Sequence, residues 1–207
     1  MALVDRYSGV IFDYGGVLVS HQTEDDARQM ADLAGISASV FGELYWVDRP
    51  GYDRGDVSGL DYWRAIGRKA GKNLSDETIH AVIERDSRSW MHFYPEMYSF
   101  AHGLRKRGIR IGILSNMPLE LGEAIKAGAF GFEGFDHITL SYETRSAKPE
   151  PAIYHHCIEG LGTRPAETLF LDDRAENVNA ARALGIDSLL FTAPPEVLSR
   201  LNGATSR

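Results

Sequence analysis

The chain has 207 residues, 43% of them hydrophobic, and 22 Lys and Arg against 29 Asp and Glu give it a formal net charge of -7. That is enough apolar side chain to bury a sizeable core, and the acidic balance offers nucleic acid no electrostatic footprint. The single cysteine, Cys157, excludes an intrachain disulfide and a thiol-rich metal site. No run approaches the roughly 20 apolar residues of a membrane span. The first residues also lack the basic-then-apolar pattern of a secretory signal, so a cytoplasmic location is expected.

In chain order, Val10-Ile11-Phe12 reads as a buried strand that stops at Asp13 and passes into a loop through Gly15-Gly16. From about Ser20 to Tyr94 no strand is predicted. Apolar positions there recur with helical spacing, as in Leu60 with Trp63 and Ile79 with Val82 and Ile83. Pro50-Gly51 and Gly71-Lys72-Asn73 punctuate this part, and Ser75 ahead of Glu77 and Thr78 marks a helix start. A small helical bundle is expected. Beyond Pro95, the residues Met97, Phe100, Ala101 and Leu104 mark a helix that Gly108 ends. Strands are predicted at Ile109–Leu114, His137–Leu140, Thr168–Leu171 and Ser188–Phe191. Helices should begin near Pro118, Pro149, Ala175 and Pro195. Alternating strands and helices predict an α/β fold, a Rossmann-like parallel sheet covered on both faces. The expected division is a core of residues 1–18 and 95–207 interrupted by an all-helical cap, 19–94.

Ligands of open α/β sheets sit at the carboxyl ends of the strands. Here those ends carry Asp13, Ser115-Asn116 and Asp172-Asp173. Phosphoryl transfer asks for this set: carboxylates to hold a magnesium ion, one of them able to attack, and a hydroxyl, amides and a cation for the phosphoryl oxygens. Lys148, ahead of Pro149 and a predicted helix, supplies the cation, its projection fixed by a proline at the first turn. Each residue also has a plainer reading. Asp13 ends a strand, Ser115 caps a helix, one of the acidic pair caps the next helix, Lys148 is exposed, and Asn177 faces solvent.

Four stretches decide between them: FDYGGVL (Phe12 to Leu18), ILSN (Ile113 to Asn116), KPEPAIY (Lys148 to Tyr154) and LFLDDRAENVNAA (Leu169 to Ala181). In this order they resemble the motifs of the haloacid dehalogenase (HAD)-like hydrolases. The chain is most similar to the group containing α-D-glucose-1-phosphate phosphatases, with a helical C1-type cap after the first motif. The Arg54-Gly55-Asp56-Val57-Ser58 stretch resembles that group too.

The resemblance implies a magnesium-dependent phosphatase with Asp13 as nucleophile and metal ligand. Ser115 and the Asn116 amide would hold phosphoryl oxygens, and Lys148 would neutralise charge. The Gly15 carbonyl and Asp173 would bind the metal directly, with Asp172 beside them and Asn177 orienting the set. Gly16 would let the loop approach the phosphate. The partner is a small phosphorylated substrate, with no nucleic acid or membrane, and the protein is a monomer or homodimer.

The family's usual acid/base aspartate is replaced here by Gly15, a loss worth about 10²–10⁴-fold in rate. Good leaving groups, such as that of a sugar 1-phosphate, would suffer least. Gly15→Asp should restore about 10²-fold at best. The alternatives are a weakly active or non-catalytic HAD-like binding protein and a dehalogenase-type hydrolase; a phosphoacceptor receiver domain has its acidic pair early in the chain, not last. In the cap, Trp46, Tyr52, Arg54 and Trp63 are candidates for the pocket wall, with Arg54 the substrate contact and Trp63 packed. His155-His156 point to different helix faces and read as surface residues, and Cys157 as core.

Overall fold

The computed structural model describes residues 2–128 and 131–203. Residue 1, residues 129–130 and residues 204–207 of the expected core lie outside them. Among the described residues, β1 (Gly9–Phe12), β2 (Arg110–Ser115), β3 (His137–Leu140), β4 (Thr168–Asp172) and β5 (Asp187–Leu190) form one sheet in the order β3-β2-β1-β4-β5. Every pairing is parallel. Ile11 lies between Gly112 and Phe170, and Phe12 between Ile113 and Leu171.

Strand alternation sorts these side chains onto two faces. Val10 and Phe12 join Ile111, Ile113 and Leu171 in one core, which α6 (Pro95–Lys106) and α11 (Pro194–Asn202) cover with Met97, Leu104, Val197 and Leu201. Ile11 joins Leu114 and Phe170 in the other, under α9 (Pro151–Leu161) and α10 (Ala175–Ala183). All of β1 is buried, as a central parallel strand sandwiched between helices must be. Because β1 leads to β2 on one side and has β4 on the other, its carboxyl end is the switch point of the sheet, where a crevice opens.

Between β1 and β2 lie α1 (Glu24–Ala34), α2 (Ala38–Tyr45), α3 (Arg49–Arg54), α4 (Gly59–Lys69) and α5 (Asp76–Ser89), with no strand from 20 to 94. These helices bury their own core, including Met30, Phe41, Trp63, Ile66, Ile79 and Val82. Each such side chain contributes roughly 1.5–3 kcal/mol. Ser75 caps α5 as expected, accepting from Thr78 N. The two passages joining cap to core run side by side: Val19 bridges Phe93, Ser20 N donates to His92 O at 2.8 Å and Tyr94 N to Leu18 O at 2.9 Å.

Two expectations are corrected. Pro50 and Gly51 do not break the chain; they sit in the first turn of α3, where proline costs no hydrogen bond. Pro149 does not start a helix, since α9 begins at Pro151. A short α8 (Ser141–Thr144) follows β3 unforeseen, whereas α7 (Leu119–Ala127) begins just after Pro118, as expected. No helix among the described residues is long and apolar enough to cross a membrane.

Candidate active site

The central strands of the sheet bring Asp13, Ser115 and the Asp172-Asp173 pair to one edge. Asp13 N donates to Leu171 O at 2.8 Å, which pins the loop after β1 to β4. Ligand atoms of Asp13, Asp172 and Asp173 all lie within 4.8 Å of one another. Lys148 Nζ is 2.8 Å from Asp13 Oδ1 and 2.7 Å from Asp172 Oδ2, with its side chain almost wholly buried. What places Lys148 is Asn116, not a helical turn at Pro149. Asn116 Nδ2 donates to Lys148 O at 2.9 Å, and its Oδ1 accepts from Lys148 N at 2.8 Å. Two bonds from one side chain therefore tie the end of β2 to the loop that carries the cation.

The charges in this cluster do not balance. Burial, joined by Asp172 and Asp173, outweighs Lys148 and raises the Asp13 carboxyl to about 8. Burial opposes charge on Asp172 too, but Lys148, the Arg174 amide and Asn177 hold its carboxyl below the usual range. Burial likewise works against the Lys148 charge, yet Asp13 and Asp172 keep it raised. Three carboxylates around one ammonium leave room for a further cation, and an all-oxygen donor set suits magnesium.

Asp172 has little left to offer an ion. Its Oδ1 accepts from Arg174 N at 2.8 Å and Asn177 Nδ2 at 3.0 Å, and its Oδ2 from Lys148 and Asn177. Asn177 is buried, not solvent-facing. Asp173 is more open and pairs with His21, Nε2 to Oδ2 at 3.0 Å; this hydrogen bond raises the His21 imidazole above its ordinary value.

The two glycines of the loop do different jobs. Gly16 has φ +77°, and a Cβ there would lie 2.7 Å from Asp173 Cγ; it makes room for Asp173 and does not itself line the crevice. Gly15 does line it, under the ring of Trp90.

The crevice holds about 730 Å³, with Ser115, Asn116 and Lys148 at its floor and Trp46 and Arg54 on the cap side. Tyr52 and Trp63 are buried inside the cap instead. Arg54 Nη2 already pairs with Glu150 Oε1 at 2.5 Å, so its charge is answered from the core at the rim. His155 and His156 are exposed and Cys157 is buried. His21, Trp90 and Glu150 were not singled out in the sequence. The first follows the first motif by three residues and the second immediately precedes the return to the core, positions that mark them only once the linkers are known to lie over the site.

A sequence model of the haloacid dehalogenase-like hydrolases matches residues 7–185. The chain belongs to the haloacid dehalogenase-like hydrolases. Among curated relatives, it is 28% identical over 187 residues to the sesquiterpene phosphatase astK of Aspergillus oryzae, covering 90% of each chain. It is 26% identical over 200 residues to a D-ribitol-5-phosphate phosphatase of Bacteroides thetaiotaomicron, covering 86% of this chain and 89% of the relative. Among solved structures, a HAD-family enzyme from Bacteroides thetaiotaomicron, in complex with magnesium and inorganic phosphate, superposes with a TM-score of 0.71 at 25% identity. That match covers 89% of this chain and 94% of the other. This HAD-like hydrolase is thus of the phosphatase kind, with the Asp13, Asp172 and Asp173 cluster suited to magnesium.

Proposed function

We propose that this protein hydrolyses a small phosphorylated metabolite through an aspartyl-phosphate on Asp13. The observation that carries the reading is Lys148 held between Asp13 and Asp172 beside a third carboxylate, Asp173. Asp13 Oδ1 is engaged by Lys148 and by Tyr14 N at 2.7 Å, so Oδ2 is the oxygen left to attack phosphorus. Ser115 and the Asn116 amide hold phosphoryl oxygens while the bond to the leaving group breaks. Water then attacks the aspartyl-phosphate, releases phosphate and restores Asp13. Asp13, the Gly15 carbonyl and Asp173 would hold magnesium, which would offset the repulsion between carboxylates and phosphate.

Gly15 has no proton to give, so the leaving group must be acidic enough to depart unaided. A sugar 1-phosphate, whose anomeric oxygen is a good leaving group, is the substrate class this favours. The relatives named for phosphatases of a sesquiterpene and of D-ribitol 5-phosphate support a phosphorylated metabolite in general.

p-Nitrophenyl phosphate with magnesium, and again with excess EDTA, tests the reading. Metal-stimulated turnover that Asp13→Asn abolishes is expected. Metal-independent halide release from a 2-haloacid would move the assignment to a dehalogenase, and binding without turnover to a non-catalytic relative.

A further inference from the structure

Trp90 stands where the cap meets the catalytic loop, and no hydrogen bond fixes its ring. It follows α5 and lines the crevice, and its indole Nε1 is buried without a partner among the described residues. Packing positions the ring, while Tyr14 Oη donates to Trp90 O at 3.1 Å and ties the residue's backbone to the loop that carries Asp13. One edge of the six-membered ring lies over Gly15, so close that a Cβ there would be 3.1 Å from Cζ3. His21 meets the ring edge to face with centroids 6.2 Å apart, and Trp46 does the same at 6.5 Å. Trp46, itself 56% exposed, leans on Tyr45 at 4.7 Å. An aromatic run thus leads from the loop that carries Asp13 to the surface, ending in an indole left to solvent.

We propose that Trp90 is the platform on which the leaving group lies, and that the bare Cα of Gly15 is what lets this platform rest on the catalytic loop. The proposal builds on the phosphatase reading above. An ester with its phosphorus at Asp13 must run its leaving group past the neighbours of Asp13, and Gly15, two residues on, is roofed by the indole. A ring face gains from packing there, whereas a short chain gains little. Pyranose and aryl groups both present such a face. Gly15 is then a specificity position: a Cβ there would meet the ring 3.1 Å from Cζ3 and press it outward by a few tenths of an ångström.

Calorimetric titration with non-hydrolysable phosphonates in the presence of magnesium tests this. 3-Phenylpropylphosphonate against propylphosphonate reads an aryl face, and glucopyranosylmethylphosphonate against propylphosphonate a pyranose face. The native protein should bind at least one ring-bearing compound about tenfold more tightly than propylphosphonate. Trp90→Ala should remove most of that preference, and Gly15→Ala should narrow it by displacing the ring. Trp90→Phe keeps the packing but narrows the face, and should cut the preference about threefold even if the alanine variant fails to fold. A native protein without preference, or a folded Trp90 variant that keeps it in full, overturns the platform. Because nothing is hydrolysed, preference without magnesium-stimulated turnover would count against the phosphatase reading alone.

Discussion

Asp172 and Asp173 are neighbours in sequence, and their surroundings set them to different tasks. Asp172 is fully buried and spends its oxygens on Lys148, Asn177 and the Arg174 amide; Asp173 keeps 18% of its side chain exposed and, among the described residues, pairs with His21. Asp172→Ala should therefore cost about 3 kcal/mol, because it strips a buried lysine of one partner. Asp173→Ala should abolish magnesium-stimulated turnover at a stability cost below about 1 kcal/mol. Paired thermal melts and p-nitrophenyl phosphate assays would reverse the two roles if Asp173→Ala proved the destabilising change. Gly15→Asp is the second case. The sequence alone predicts a gain of about 10²-fold at best, but the Trp90 ring stands beside Gly15, 3.1 Å from where a Cβ would sit. The variant should hydrolyse primary alkyl phosphates no faster than the native protein; a rate increase of tenfold or more would mean the ring yields freely. Asp13, Ser115 and the Asp172-Asp173 pair were legible because they stand at strand ends, and Lys148 because it stands in a motif, whereas the ring over Gly15 comes from a residue 75 positions away.

At the scale of elements, what could be read in advance was whatever has a period or a cap. The buried strands are nearly continuous apolar runs and fell within a residue or two of prediction. By contrast α3, six residues, and α8, four residues, are too short to show a helical period, and Pro50 at the start of α3 resembled a break. The start of α1 carries a stronger cap than that of α5. Thr23 Oγ1 accepts from Asp26 N at 3.1 Å, and Asp26 Oδ2 accepts from Thr23 N at 2.8 Å, with Arg85 and His92 also on the carboxylate. Burial works against the Asp26 charge, but the Thr23 hydroxyl and amide, then Arg85 and His92, hold its carboxyl down to about 2, against an ordinary 3.8. A depressed folded value means stability that is complete above 3.8 and lost as pH falls toward 2. Asp26→Asn should cost about 1–2 kcal/mol at pH 7. That difference should shrink between pH 4 and pH 2 in denaturant melts. An unchanged gap across that range would show that the ionised carboxylate is not what stabilises α1.

For the whole molecule, the cap has its own hydrophobic core and meets the catalytic core along its linkers and at the rim of the crevice. On one side are the paired linkers, with Val19 bridging Phe93. At the rim, the segment from Asp53 to Gly59 is held by polar bonds: Arg54 to Glu150, the Arg145 guanidinium to Gly55 O, Ser141 Oγ to Asp53 O, and Gly59 N to Glu120 Oε1 at 3.1 Å. Arg54 and Glu150 are 37% and 39% exposed, so this ion pair is worth at most about 1 kcal/mol and is open to screening. An energy of that size is negligible for folding but shifts a balance between open and closed crevice by about fivefold. Glu150→Gln keeps the shape and the Ser146 hydrogen bond partner while removing the charge. It should leave the melting temperature nearly unchanged and raise KM about three- to fivefold, with kcat equal to or above that of the native protein. Raising ionic strength should raise the native KM in the same direction, and more steeply than it raises the variant's KM. Equal salt dependence in both proteins would mean that Arg54 and Glu150 do not govern closure, and a fall of many degrees in melting temperature would make the pair a structural one.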